Sequence, residues 1–157
     1  MSIYTVGYEG LEIAAFISRL THVGVKTVVD VRQLPLSRKR GFSKRAFSEA
    51  LAAAEIAYIH MPTLGCPKSI RDAFKQDADW GQYSASFLAY LRTQEAAVRE
   101  LAKISRATTA CLVCFEADFN FCHRTYVVRA TRRFGAPAVH HITAETVIAD
   151  SPLRVAA

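Results

Sequence analysis

The chain has 157 residues, of which 51% are hydrophobic, and it carries a formal net charge of +6 with a pI near 9.4. This length and apolar content are typical of one folded domain, here residues 1–157, and exclude a disordered chain. No apolar run approaches the roughly 18 residues of a membrane span, and the first residues do not resemble a signal peptide, so we expect a cytoplasmic protein.

Hydrophobic patterning predicts strands and helices in alternation along the chain. The predicted strands are 3–8, 26–32, 56–62, 108–116 and 138–144. The predicted helices are 11–23, 43–55, 81–105 (one long helix or two joined ones) and 122–135, with 63–80 irregular or partly helical. This order is typical of an α/β fold, and we expect a three-layer sandwich around a mainly parallel central sheet of about five strands.

Polar and reactive residues stand at the carboxyl ends of the predicted strands. They are Gly7 to Glu9, Asp30 and Arg32, His60, Cys114 and Glu116, and His141 and Thr143. In open parallel sheets these ends lie along one edge, where ligands bind. If the strands are parallel, residues that are distant in sequence therefore converge on one rim.

The segment VVDVR places Asp30 and Arg32 two residues apart, on the same face of a strand end. Arg32 is a candidate for bidentate binding of an oxyanion, with Asp30 orienting it or acting as a base. The alternative is an internal ion pair that organises the following loop.

Ten of the twenty Lys and Arg residues lie in two short stretches, 32–45 and 124–133. Such uneven positive charge indicates an anionic partner, either nucleic acid or a phosphate compound. In the first stretch, Ser37 and Arg38 supply donors and Phe42 adds an aromatic ring, a combination that suits a phosphate or a nucleic-acid strand. The alternative is a solvated basic surface.

A second reactive segment, CFEADFNFCHR, covers residues 114 to 124. Asp118 or Asn120 is a candidate cap for the helix that follows, whose first turn would hold Cys122, His123 and Arg124. In that setting Cys122 is a candidate nucleophile, His123 an acid/base and Arg124 an anion clamp. Alternatively, Cys122 and His123 pack beneath the loop while Arg124 pairs with Glu116.

Glu116 has several candidate roles: general base, metal ligand, or partner of Arg32 or Arg124. Glu9, Asp30, Glu116 and Asp118 together offer ligands for Mg²⁺, but their spacing does not require one, so we predict no metal site and identify no cofactor. Cys111 and Cys114 are not predicted to bind zinc, because residues three apart on a strand point to opposite faces. We expect Cys111 in the core and Cys114 in the core or at the rim.

Five motifs occur in a specific order: TVGYEG, VVDVRQLPLSRKRGFSK, YIHMPTLG, CLVCFEADFNFCHR and VHHI. In that order the chain resembles, almost end to end, the domain-of-unknown-function 488 family. The recurring family residues fall on Asp30, Arg32, Pro35, Ser37, Tyr58, His60, Leu64, Gly65, Cys114, Glu116, Cys122, His123 and Arg124. The chain departs from the family pattern at Tyr8-Glu9, where His-Ser is usual, and at Cys66, where Gly is usual.

The family resemblance implies where the site lies but gives no reaction. A fainter similarity, to rhodanese-like sulfurtransferases, rests on a strand that ends in DVR and on a cysteine after a later strand.

These features together predict a phosphate-bearing ligand, nucleic acid or a nucleotide, that is bound and processed at the rim. The predicted binding residues are Arg32, Ser37, Arg38, Arg124, His60 and Tyr8, and the predicted catalytic residues are Glu116, Asp30, Cys122 and His123. Two alternatives stay open: a non-catalytic module that binds nucleic acid or a nucleotide, and a thiol-based transferase that uses Cys122. The sequence does not give an oligomeric state.

Overall fold

A computed structural model describes residues 1–151 of the chain. Six strands form one sheet: β1 (Ser2–Gly7), β2 (Thr27–Asp30), β3 (Ala57–His60), β4 (Ala110–Cys114), β5 (Ala138–Ile142) and β6 (Val147–Ala149). Their order across the sheet is β3-β2-β4-β1-β5-β6. The first five strands are parallel, and β6 runs antiparallel to β5. The predicted mainly parallel sheet is therefore confirmed.

The five predicted strands form because short β-branched and apolar runs fit positions that are covered on both faces. Every residue of β2 and β4 is buried, as expected for central parallel strands. The sequence did not predict β6, which is only three residues long. It pairs with the edge of β5 through a turn in which the Thr143 backbone N–H donates to the Thr146 carbonyl at 2.8 Å.

In the described part of the chain, six α-helices surround the sheet: α1 (Ile13–His22), α2 (Lys44–Ala53), α3 (Lys68–Asp77), α4 (Trp80–Arg92), α5 (Glu95–Ala107) and α6 (His123–Ala130). Three short 3-10 helices lie at Pro62–Leu64, Phe119–Phe121 and Thr131–Phe134. The stretch predicted as one long helix or two is two, separated by Thr93 and Gln94. Residues 63 to 80, expected to be irregular or partly helical, are partly helical, because α3 lies within them.

Two apolar cores lie on opposite faces of the sheet. On one face, Phe16 and Leu20 of α1 and Phe47 and Leu51 of α2 pack against the strands. On the other, α4, α5 and α6 bury residues such as Phe87, Leu101 and Val127, and α3 packs beside them. Each large apolar side chain buried in this way contributes about 1.5–3 kcal/mol. These two helical layers around one sheet confirm the predicted three-layer sandwich.

The chain diverges at the centre of the sheet. After β1 it passes through α1 to β2, on one side; after β4 it passes through α6 to β5, on the other. The carboxyl ends of β1 and β4 are adjacent, with Gly7 paired to Cys114. This is the switch point at which open α/β sheets form a ligand crevice.

Gly7 makes a close crossing possible at this switch point. A Cβ atom at this position would overlap the carbonyl group of Glu116, in the loop that follows β4. Only glycine therefore allows that loop to cross so closely over the end of β1.

No helix in residues 1–151 has the length and apolar content to cross a membrane.

Candidate functional site

A pocket of about 500 Å³ opens at the carboxyl ends of β1 and β4, and we call it the rim pocket. Its wall combines basic, aromatic and reactive side chains. The lining residues are Tyr8, Arg32, Leu34, Leu36, Ser37, Cys66, Arg71, Phe74, Lys75, Trp80, Tyr83, Cys114, Phe115, Glu116, Phe121 and His123.

The mouth of the rim pocket is unusually apolar for a surface. Within residues 1–151, six large hydrophobic side chains are exposed, and four of them line this pocket: Leu34, Leu36, Phe115 and Phe121. They are 45% to 69% exposed. Exposed apolar residues that cluster around a concavity mark ligand or partner sites more often than isolated ones do.

The structure brings about half of the predicted site residues into this pocket. Tyr8, Arg32, Ser37, Glu116 and His123 line it, and Cys122 lies directly beneath Glu116, with Sγ 3.3 Å from Oε2. The remaining predicted residues, Asp30, His60, Arg38 and Arg124, lie outside its lining. The expected convergence on one rim therefore holds for residues from four separate segments of the chain.

Asp30 and Arg32 form an internal ion pair. Arg32 donates from Nε to Asp30 Oδ1 at 2.9 Å and from Nη2 to Oδ2 at 2.7 Å. Its Nη1 donates to the Phe42 carbonyl at 2.6 Å and to the Tyr8 hydroxyl at 3.3 Å. The Tyr58 hydroxyl adds a bond to Asp30 Oδ2 at 2.6 Å. The carboxylate of Asp30 is thus fully buried and engaged, while Arg32 forms part of the pocket wall.

Electrostatics keep the guanidinium of Arg32 charged. Burial disfavours the guanidinium cation of Arg32, but the hydrogen bonds and attraction of Asp30 outweigh it and raise the pKa of Arg32 above its ordinary value. For Tyr58, burial and the hydrogen bond to Asp30 both disfavour the phenolate, so its pKa is also raised. Tyr58 therefore remains a hydrogen-bond donor to Asp30 at neutral pH.

Arg124 lies beneath the pocket, with no exposed surface. It donates to Thr5 Oγ1 at 3.2 Å, to Cys114 Sγ at 3.5 Å, and to the carbonyls of Glu116 and Ala117. Burial lowers its pKa to about 10, which still leaves it charged. Arg124 bonds the backbone of Glu116 rather than its carboxylate, so it holds the loop in place from below.

Four reactive groups meet at the floor of the pocket, and we call Cys114, Glu116, Cys122 and His123 the floor cluster. The two cysteine sulfurs lie within bonding distance of each other, as in a disulfide, and Glu116 Oε2 lies 3.4 Å from Cys114 Sγ and 3.3 Å from Cys122 Sγ. The Cα atoms of the two cysteines are 7.9 Å apart. Although Glu116 is exposed as a whole, its carboxylate turns inward, and this desolvation raises its pKa.

His123 has a fixed orientation. Its Nε2 lies 2.8 Å from the Val31 carbonyl, which only accepts, so the ring proton is on Nε2 and Nδ1 carries the lone pair. Nδ1 faces Cys122 Sγ at 4.0 Å. Burial lowers the pKa of His123 to about 4, so the ring is neutral at physiological pH.

The capping predictions for α6 are wrong in detail. Cys122 itself is the N-cap residue of this helix, and Asp118 instead caps the preceding 3-10 helix, accepting from the Asn120 N–H at 2.9 Å.

The carboxylates considered for Mg²⁺ are engaged in other hydrogen bonds, since Glu9 accepts from the Ala117 N–H at 3.0 Å and Asp30 from Arg32. Among the described residues, the one convergent set of three His, Cys, Asp or Glu donors is Cys114, Cys122 and His123.

Residues 32–43 of the first basic stretch form a loop that we call the basic loop, which lies next to the pocket and is held to the start of α2. Ser43 stands at the N-cap position of α2, but its hydroxyl bonds the backbone N–H and carbonyl of Ser37, both at 3.0 Å, rather than the helix. Arg38 is exposed on this loop. His60 is oriented by a contact of its Nε2 with the Arg32 carbonyl at 2.8 Å.

Sequence reasoning missed several residues of the pocket, among them Arg71, Lys75 and Trp80. The basic residues Lys68, Arg71 and Lys75 are spaced three and four apart, which would have placed them on one face of a helix. The prediction for residues 63 to 80, irregular or only partly helical, does not use this signal.

His141 is fully buried, away from the pocket. Its Nε2 contacts Asp150 Oδ1 at 2.8 Å and its Nδ1 contacts Thr5 Oγ1 at 2.6 Å. Burial lowers the pKa of His141 to about 4. Asp150 also accepts from Arg129 at 2.7 Å, so this network ties β5 to α6.

A second cavity, of about 550 Å³, lies between α4, α5 and the Thr131–Phe134 turn. It is lined by residues such as Leu91, Val98 and Phe134 and shares no lining residue with the rim pocket. It contains no cysteine or histidine, so the rim pocket is the better candidate site.

Comparisons with known proteins bear on the family. Searches of curated proteins and of solved structures gave no match. No comparison supports the fainter similarity to rhodanese-like domains. The sequence model for DUF488, described as a domain of unknown function, matches residues 12–131. This span includes α1 to α6 and the residues of the floor cluster, and the chain therefore belongs to the DUF488 family.

Proposed function

We propose that the rim pocket binds a phosphate-bearing ligand with a flat ring, either a nucleotide or a nucleotide within a nucleic-acid strand, and acts on it at the floor. The observation that carries this proposal is that basic Arg71 and Lys75 share one pocket with a wall of aromatic rings around Trp80. The basic side chains suit a phosphate group, and the aromatic rings suit a base.

The phosphate would bind along α3, because Arg71 and Lys75 lie four residues apart on the helix face that lines the pocket. The guanidinium of Arg71 is held by Nε donating to the Cys66 carbonyl at 3.1 Å and Nη2 to Gln33 Oε1 at 2.7 Å. Lys75 is exposed at the mouth. The basic loop beside the pocket would add long-range attraction for anions.

The ring would bind to the aromatic wall. Trp80 stacks on Tyr83 with 4.6 Å between ring centroids, and Phe121 packs edge-on against Trp80 at 5.5 Å. Stacking of a base on an aromatic side chain contributes about 1–3 kcal/mol per base and tolerates any base. The exposed rings at the mouth would continue this surface.

For the reaction, we assign acid/base chemistry to Glu116, because its carboxylate is the one that lines the pocket. Asp30 is buried against Arg32 and Tyr58, so we give it a role in positioning Arg32 instead. Arg124 is likewise assigned to holding the Glu116 loop, and phosphate binding passes to Arg71 and Lys75.

Binding can be tested with labelled single-stranded DNA, duplex DNA and RNA over a salt series, with free nucleotides as competitors. If Lys75 contacts a phosphate, Lys75→Ala lowers the slope of log K against log salt by roughly 0.7–0.9. Lys103→Ala, which removes an equal charge from the exposed face of α5, should leave the slope unchanged. Equal effects of the two variants, or no binding of any nucleotide or oligonucleotide, would refute the proposal.

A measurement of turnover distinguishes an enzyme from a non-catalytic binding module. Bound substrates are incubated with the protein and analysed by mass spectrometry. Glu116→Gln should retain binding and lose product formation. Binding without any product from the unaltered protein would establish the non-catalytic alternative.

A further inference from the structure

We propose that Cys114, Cys122 and His123 form a binding site for a soft divalent cation of the zinc type at the floor of the rim pocket. This site goes beyond the proposed function and does not depend on it, since a metal can bind there whether or not the pocket accepts a nucleotide.

The geometry of the donor atoms carries the inference. The two sulfurs and one ring nitrogen lie within 4.8 Å of one another. They come from the end of β4 and from the first residues of α6, two rigid elements. Zinc bonds of about 2.3 Å to sulfur and 2.0 Å to nitrogen place tetrahedral ligand atoms roughly 3.5 Å apart. The separation of 4.0 Å between Cys122 Sγ and His123 Nδ1 is close to that value.

The backbone favours an ion over a disulfide. Disulfide-bonded cysteines have Cα atoms roughly 4.4–6.8 Å apart, and wider pairs require the backbone to move. Here the Cα atoms are 7.9 Å apart, although both side chains point at each other. An ion seated between the two sulfurs spans this gap, with each sulfur turning aside to become a ligand.

The surrounding groups are those that support metal ligands. His123 donates from Nε2 to the Val31 carbonyl at 2.8 Å, which leaves Nδ1 with the lone pair that a metal needs. Arg124 donates to Cys114 Sγ at 3.5 Å, and Cys122 stands at the N-cap of α6. Two thiolates balance the charge of a divalent ion, which a buried site requires.

Three protein ligands would leave a tetrahedral ion one further position, and we place it toward the pocket because Cys114 and His123 line its wall. Glu116 lies on this side, within 3.4 Å of both sulfurs, where its carboxylate would accept a hydrogen bond from a water on the ion. Open three-ligand sites of this composition are typical of catalytic zinc.

The test uses reduced, metal-free full-length protein titrated with Co²⁺ alone and then with Zn²⁺ in competition with a chromophoric chelator. The proposal predicts one equivalent of Co²⁺, with the sulfur-to-cobalt charge-transfer absorption that shows thiolate ligation. Cys122→Ser and His123→Gln should weaken binding by more than about 100-fold, beyond the effect of losing an outer-shell partner. Cys66→Ser is the matched control, because Cys66 lines the same pocket outside the cluster, and it should retain the full equivalent.

A second measurement needs no variant and so does not depend on a variant's folding. In the unaltered reduced protein, Zn²⁺ should protect Cys114 and Cys122 from alkylation while leaving the labelling of Cys66 unchanged, as located by mass spectrometry. Failure of the reduced protein to bind Co²⁺ or Zn²⁺, or equal loss in Cys66→Ser and Cys122→Ser, would overturn the proposal. Because the probe is the metal alone, this result is independent of nucleotide binding.

Discussion

Gly7→Ala should both destabilise the protein and open the floor of the pocket. The new methyl group would overlap the Glu116 carbonyl, so the loop after β4 must retreat by roughly 1 Å or more. That carbonyl also accepts a hydrogen bond from the buried guanidinium of Arg124. The retreat therefore disturbs packing and a charged hydrogen bond together.

The magnitude follows from these two effects. Forcing an extra methyl group into a packed site typically costs about 1–3 kcal/mol. A hydrogen bond to a buried charged group contributes about 1.5–3 kcal/mol. The free energy of unfolding should therefore fall by roughly 2.5–6 kcal/mol, which a typical domain survives at low temperature.

Urea denaturation measures this loss, with Gly24→Ala as the matched control. Gly24 has a φ of +82° but no neighbouring atom within 4 Å of a new Cβ, so its substitution tests backbone strain alone, at about 1–2 kcal/mol. Gly7→Ala should also speed alkylation of Cys122, because the Glu116 loop covers its sulfur. If Gly7→Ala costs no more than Gly24→Ala and leaves alkylation unchanged, the reasoning about this crossing is wrong.

Three further predictions concern buried polar groups. Between pH 6.5 and 4, His141 becomes protonated in the unfolded chain but stays neutral in the folded chain, where its pKa is lowered to about 4. The free energy of unfolding should therefore fall by about 3 kcal/mol over that range because of this residue. Urea titrations at several pH values measure the fall, which should be shallower in His141→Gln. Asp150→Asn leaves Arg129 without its carboxylate and should cost about 3–5 kcal/mol at pH 7, measured by the same titrations. Tyr58→Phe removes one donor to the buried Asp30 and should lower the free energy of unfolding by about 1–3 kcal/mol; no loss would show that this bond is dispensable.

The sheet was predictable because each of its longer strands follows from the pattern of its own short run of residues. Runs such as KTVVDVR and TTACLVCFE are apolar enough to demand burial on both faces, and their parallel alignment then places their ends on one rim. The edge strand β6 was missed because its three residues carry no pattern of their own and pair only through the turn after β5.

The details of the site depend on contacts between distant segments, which a single sequence does not reveal. The buried setting of Arg32 comes from the Phe42 carbonyl and the Tyr8 hydroxyl, which belong to other segments. The contact between Cys114 and Cys122 depends on how the loop crosses Gly7 and on the 3-10 turn before α6. The contribution of α3 to the pocket likewise depends on where the long connection between β3 and β4 places it.

Trp80 provides the most direct test of the central claim, because it is the only tryptophan in the chain and it lines the rim pocket. Its fluorescence is measured while nucleotides and short oligonucleotides are added to the unaltered protein, to Lys75→Glu and to the control Lys103→Glu. If the rim pocket binds nucleotides, the fluorescence changes saturably in the unaltered protein and in the control, and much more weakly in Lys75→Glu. An unchanged Trp80 signal at every ligand concentration, or identical titrations of the two variants, would contradict this claim.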